Sequence, residues 1–417
     1  MTEFWQNLAH LVRLCLCQFP VQSWGTILIF PDSDKMKFRI FPLLLIFAFF
    51  AETAPALEYV RFTHNGKERN EEGRILFRAS GGFAFEARDG RRYVITREHL
   101  INRRSDELPF VPYTKKEMIE RLKEEFPPGE YYYLDSYGPF IIVYTTSKAF
   151  AMWYGTLLER LHDMYVRHWK LLGVELTKPE FPLVAIVLSN EERYRNYAKQ
   201  EGENLFPEQR AYYHKLTNRI VMYDMTGQQA FREGNQRQTT VFDIRRLLAQ
   251  PGAYNNIMTV IHEAAHQVGF NTGMHPRNAP NPTWVHEGLA LLHEVPDSRH
   301  SSGWSLGPYV NRPRMMQLQR YLRQPHQESP IQKMIQDDTL FRHSETALDN
   351  YALAWGLTYY LVSKRKRELA AYLKLLQAKT IMSRDTGDVR IKDFEDCFGS
   401  DWQKFDKDFL DFVWGLR

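Results

Sequence analysis

The order of apolar and polar positions divides the chain into a strand-rich front and a helical back. From residue 57 to about 110, short apolar runs alternate with polar breaks. Ile75-Leu76-Phe77 is one such run. Phe83–Ala87 and Arg92–Ile95 flank Asp89-Gly90, a dipeptide that suits tight hairpin turns. A small β module, barrel-like in outline, is expected over 57–110, with a spacer or docking role. Pro109, Pro112 and then Pro127-Pro128-Gly129 punctuate a short helical stretch, Lys115–Phe126. Residues 111–129 therefore read as a linker carrying a short helix. Tyr131–Tyr133 and Phe140–Tyr144 read as strands, and Lys148–Leu172 as a long amphipathic helix. Pro182–Leu188 reads as a buried strand and Arg219–Tyr223 as another. Beyond them the spacing is nearly all helical. Strands first and helices second is an α+β arrangement, and 130–417 is expected to form one domain.

The first residues carry targeting information. From Met36, a positive segment (Lys37, Arg39) precedes the apolar run Ile40–Ala51 and the small-x-small sequence Ala54-Pro55-Ala56. That is the pattern of a secretory signal peptide over 36–56. The run is shorter than the roughly 20 apolar residues a spanning helix needs, so an uncleaved anchor is the weaker reading. Residues 1–35 do not fit before a signal peptide, and a start-site artefact is expected. The alternative is an interfacial segment, since Phe4, Trp5, Leu8, Leu11 and Val12 have helical spacing. Export to the periplasm or the exterior follows from the signal. Cys397 is then the one cysteine of the mature chain, because Cys15 and Cys17 lie upstream. An intramolecular disulfide and a zinc–thiolate cluster are both excluded.

Charge adds little. Lys and Arg number 54 against 50 Asp and Glu, and Arg103-Arg104 and Lys364–Arg367 are short charge runs. These read as solvated faces, and no nucleic-acid partner is expected.

The chemistry is concentrated in two strings. His262-Glu263-Ala264-Ala265-His266 lies in a segment with helical apolar spacing and no Pro. Positions i and i+4 share a helix face, so His262 and His266 can address one metal ion, with Glu263 placed to reach a water there. Gly269 is the expected end of this helix. Asn281-Pro282-Thr283 reads as an N-cap followed by Pro at the first helical position. It opens a second helix carrying Trp284, Glu287, Leu291 and Glu294, with Glu287 as the candidate third ligand. Three protein ligands leave a position for water, as catalytic zinc requires. The competing reading is a buried helix that happens to carry two surface histidines.

HEAAH with a downstream WVHEGLA resembles the gluzincin, or peptidase MA-like, zinc metallopeptidases. The wider stretch is similar to an uncharacterised branch of secreted bacterial proteins, a domain of unknown function. That similarity rests on AYYHKLTNRIVMYDMTG, HEAAHQVGFNTG, NPTWVHEGLALLHEVPD and DNYALAWGLTYYL, and extends from about residue 72 to the C-terminus. The resemblance implies a zincin-like domain with a mixed sheet, an active-site helix and a mostly helical C-terminal half. It implies zinc held by His262, His266 and Glu287, with Glu263 polarising the water. Tyr351 is the candidate donor to the developing oxyanion, against a simple core role. Some gluzincins place an acid four residues after the third ligand, where this chain has Leu291. Glu294, on the same face, is a candidate replacement for orienting a histidine. Asn271, His275, His286 and His293 are expected to be loop or surface residues.

The expectation is an exported zinc-dependent hydrolase acting on a peptide or protein, without a stable membrane span. Its specificity would come from the strand edge before the metal helix and from loops 271–281 and 297–313. The alternatives are a catalytically silent scaffold that binds the cell envelope through the β module, and a zinc hydrolase of another bond.

Overall fold

The computed structural model describes residues 55–207, 209–225, 253–295 and 310–416, with positions 240, 242, 244 and 246. Residues 1–54, which hold almost all of the expected signal peptide, and most of loop 297–313 lie outside the described residues. Residues from Thr53 onward form one compact unit.

Five strands build the first sheet: β1 (Ala56–His64), β2 (Lys67–Ala79), β3 (Gly82–Ala87), β4 (Arg92–Thr96) and β5 (Leu100–Pro109). Their order is β4-β3-β2-β1-β5. All pairings are antiparallel. The sheet is open, with β4 and β5 as edges, instead of the barrel-like outline expected. Asp89-Gly90 does turn β3 into β4, and Gly90 takes φ +81°. Asn65-Gly66 turns β1 into β2 with both residues at positive φ, a second hairpin signal of the same kind. The buried face carries Val60, Phe62, Phe83, Phe85, Tyr93 and Ile95.

Next comes α1 (Lys115–Glu125), started by a reciprocal capping box between Thr114 and Glu117. It buries Met118 and Leu122. The segment read as a linker therefore supplies core.

The second sheet contains β6 (Tyr132–Tyr137), β7 (Phe140–Tyr144), β8 (Leu183–Leu188), β9 (Ala211–His214) and β10 (Arg219–Tyr223). Their order is β6-β7-β8-β10-β9. The three central strands are parallel, and β6 and β9 are antiparallel edges. The helices α2 (Lys148–Leu171) and α3 (Glu191–Gln200) lie between these strands in sequence. Alternation sorts the central strands onto two faces. Phe140, Ile142, Leu183, Ala185, Val187, Ile220 and Met222 join the core that contains the helical half. Ile141, Val143, Val184, Ile186 and Val221 face Met118 and Leu122 of α1. Burial on both faces is why these strands read as unbroken apolar runs.

The helical half follows as α4 (Ala253–Asn271), α5 (Thr283–His293), α6 (Arg312–Leu322), α7 (Pro330–Gln336), α8 (Ala347–Lys364), α9 (Lys366–Gln377), α10 (Gly387–Phe398) and α11 (Trp402–Gly415). Gly269 does not end α4. A Cβ there would lie 2.9 Å from the Tyr165 hydroxyl, so this glycine admits a close neighbour. The helix stops at Asn271, and Gly273 follows at φ +76°. No helix of the described residues is long and apolar enough to cross a membrane.

Candidate metal centre

The helix α4 is fixed to the second sheet by buried amides. Gln267 Nε2 donates to Val184 O at 3.1 Å and to Asn218 O at 2.7 Å. Asn218, at φ +60° in the β9–β10 turn, exchanges side-chain hydrogen bonds with Asn271 at 2.8 and 2.7 Å. The Tyr213 hydroxyl donates to Asn218 Oδ1 at 2.8 Å. These contacts fix both the rotation and the height of α4 against the edge strand β9.

The start of α5 differs from the expected cap. Pro282 is the N-cap residue and offers no side-chain bond. Asn281 Nδ2 instead donates to Pro276 O at 2.9 Å. The helix's free Thr283 N–H is met by Asp338 Oδ1 at 2.8 Å, from a remote turn. Asp338 Oδ2 accepts from Arg390 at 2.7 Å. A carboxylate at a helix N-terminus satisfies an orphan donor and complements the helix dipole.

These two helices bring His262, His266 and Glu287 together. His262 Nε2 lies 3.1 Å from His266 Nε2 and 3.1 Å from Glu287 Oε2. His266 Nε2 lies 3.5 Å from the same oxygen. A tetrahedron with zinc–nitrogen and zinc–oxygen bonds of about 2.0–2.1 Å has edges of about 3.3 Å. Two imidazoles and a carboxylate at these separations form a possible metal-binding triad. The donor chemistry fits a borderline cation such as zinc, and Cys397, the one cysteine among the described residues, lies elsewhere on α10.

Glu263 is half-buried beside the triad. Its Oε2 accepts the Tyr213 N–H at 2.9 Å. Burial raises its pKa to about 7, with His262 pulling it down and Glu287 pushing it up. Tyr213 stands in no catalytic motif of the sequence. The four-residue strand that presents it is too short to register as a strand by alternation.

Glu294 takes the place that Leu291 leaves empty. Leu291 is fully buried in the core. Glu294 Oε2 stands 3.3 Å from His262 Nδ1, an ion-pair contact rather than an aligned hydrogen bond. Its other oxygen accepts from Asn311 Nδ2 at 2.7 Å and faces Arg314 Nε at 3.5 Å. For His262, burial lowers the pKa, but Glu287 and Glu294 outweigh it and raise it to about 10. The ring is thus held between two carboxylates.

Tyr351 lies in the first turns of α8, which packs against α5. Its ring meets Phe341 edge-on at 5.4 Å, and the Arg314 guanidinium lies 5.7 Å from its centroid. Glu287 is the main cause that raises its phenol pKa well above the ordinary value, followed by burial and Glu263. The phenol is therefore within the field of both site carboxylates.

Of the other histidines near the site, His275 is a loop residue and His286 and His293 lie on α5, and all three are buried. His275, His286 and His293 are 1%, 9% and 4% exposed. His286 Nδ1 lies 3.2 Å from Glu287 Oε1. His293 Nε2 accepts from Trp169 Nε1 at 3.1 Å. His275 packs edge-on against Phe270 with centroids 4.3 Å apart. Only His275 lies in loop 272–282; His286 and His293 belong to α5, which is buried on all sides from Trp284 to His293. Asn271 lies in the amide network already described.

The first sheet reaches the same loop. Arg277 Nη2 donates to Glu86 Oε1 and to Gly90 O, both at 2.8 Å. Arg92 donates to Arg277 O and, at 3.1 Å, to Asn278 Oδ1. Glu86 is fully buried and also pairs with Arg74 and Arg92. The β3–β4 hairpin thereby anchors the loop that joins the two ligand-bearing helices.

Residues 256–382 match a family described as a protein of unknown function (DUF1570). The match is shorter than the extent expected from the sequence, but it contains His262, Glu263, His266, Glu287, Glu294 and Tyr351. No curated protein matches the chain.

Proposed function

We propose that this chain is an exported zinc-dependent hydrolase of gluzincin type, acting on peptide bonds. The observation that carries the reading is the convergence of His262, His266 and Glu287, with Glu263 beside them. A zinc ion held there would supply a Lewis acid that lowers the pKa of water and polarises a carbonyl.

The chain's own groups divide the remaining work. Glu263 Oε2 is held by the Tyr213 N–H, which leaves Oε1 to take a proton from water and return it to the leaving amine. A pKa near 7 suits both transfers. Glu294 orients His262 and is itself held by Asn311. Tyr351 keeps its phenolic proton and donates it as a hydrogen bond to the charge that develops on the substrate oxygen. The edge strand β9 and loop 272–282 border the site and set its selectivity.

Elemental analysis of freshly purified protein, paired with digestion of a broad peptide library with and without chelator, tests the reading. About one zinc per chain and chelator-sensitive cleavage are expected. Absence of both removes the proposal.

A further inference from the structure

Lys215 stands outside the donor set and beside it. It follows β9 directly, two residues after the Tyr213 whose N–H holds Glu263. Its ammonium lies 5.1 Å from the centroid of the Phe270 ring. Phe270 is one turn beyond His266 and stacks on it with centroids 6.3 Å apart. Glu287, Asp338 and Glu263 all act on this lysine electrostatically, and its charge acts in turn on His266, His275 and His286.

Each of those carboxylates is engaged elsewhere. Glu287 faces His262, His266 and His286. Glu263 accepts from Tyr213. Asp338 caps α5 and pairs with Arg390. Glu294 is matched by Arg314. Among the described residues Lys215 Nζ has no ion-pair partner within 4.0 Å. Once a divalent cation is balanced by Glu287 and Glu263, Lys215 is a surplus positive charge beside the metal. A partly desolvated ammonium on an aromatic floor, with no anion of its own, favours an incoming one.

We propose that Lys215 is a specificity-determining residue that receives a substrate carboxylate adjoining the scissile bond. The carboxylate is either an acidic side chain or a free C-terminus. This inference rests on the zinc-peptidase reading.

The test uses the zinc-loaded full chain and two probes, succinic monohydroxamate and its neutral methyl ester. Titration calorimetry should give about tenfold tighter binding of the anionic probe to the wild type, the scale of one charge-assisted contact. Lys215→Met should erase that preference and Lys215→Arg should keep it, with zinc content as the folding control. Equal binding of the two probes, or of neither, by the zinc-loaded wild type overturns the role of Lys215 and leaves the metal reading standing. Persistence of the preference in Lys215→Met overturns it as well. Failure to take up zinc removes both readings together. Two peptide sets then separate the sources: amidated peptides with an internal Glu, and neutral peptides with a free carboxyl end. The set whose KM rises in Lys215→Met identifies the source, and a rise in neither overturns the proposal.

Discussion

Gly288 follows Glu287 on α5 and faces α8. In an isolated helix, alanine in its place would stabilise by about 0.5–1 kcal/mol, by removing backbone freedom from the unfolded chain. The packing reverses that sign. A Cβ at Gly288 would lie 2.1 Å from Thr358 Oγ1 and 2.8 Å from Ala354 O. The Thr358 hydroxyl is buried without a hydrogen-bond partner and can rotate away at little cost. The Ala354 carbonyl belongs to the α8 backbone and cannot, so the two helices must separate. Overpacking of this kind costs about 1–3 kcal/mol, which leaves a net destabilisation of up to about 2.5 kcal/mol for Gly288→Ala after the helical gain. Glu287 moves with the displaced helix, so metal affinity should fall with stability. Urea unfolding of the metal-free variant measures the first effect, and competition with a chelator the second. A variant more stable than the wild type, with metal affinity unchanged, would refute the claim that close α5–α8 packing places the third donor.

Other outcomes follow from particular side chains. Glu294→Gln should weaken zinc binding by about 10–100-fold in chelator competition, because His262 loses the carboxylate charge beside its Nδ1; unchanged affinity would remove Glu294 from the site. Tyr351→Phe should lower kcat by about 10²-fold or more with zinc content unchanged, and equal turnover would return Tyr351 to a packing role. For Glu86, burial raises the pKa, but Arg92, Arg277 and Arg74 together outweigh it and leave the carboxyl below its ordinary 4.5. Its stabilisation is then complete above pH 4.5 and is lost as the pH falls toward the folded-state value. Glu86→Gln should cost about 3–5 kcal/mol at neutral pH, since it leaves buried guanidinium groups without their anion. The cost should shrink on acidification, and a cost independent of pH would show that the carboxylate charge is not what matters.

How much of this was legible in the sequence depended on the range of the interactions. His262, His266 and Glu287 announce themselves because i,i+4 spacing and a second apolar-periodic string are local signals. The strands β7 and β8 were equally plain, since burial on both faces leaves unbroken apolar runs. Interactions between distant segments were not legible. The Asp338 cap joins residues far apart in the chain, and a local reading gave the cap to Asn281 instead. Arg277 and Glu86 look like ordinary surface charges until the β3–β4 hairpin meets loop 272–282. Gly269 looked like a helix stop, although its missing side chain serves a tertiary contact with Tyr165. The role of Glu294 was open because helix phase fixes a face but not which histidine nitrogen a carboxylate reaches.

The central claim is that Glu263 moves a proton at a zinc centre built by His262, His266 and Glu287. Glu263→Gln keeps the side chain's size and its contact with Tyr213, and removes the basic oxygen. Zinc content and peptide cleavage measured side by side on this variant and the wild type test that claim most directly. The account predicts equal zinc in both proteins and cleavage reduced by about 10²–10⁴-fold, the scale of losing general base catalysis. Equal cleavage by the two proteins would contradict it.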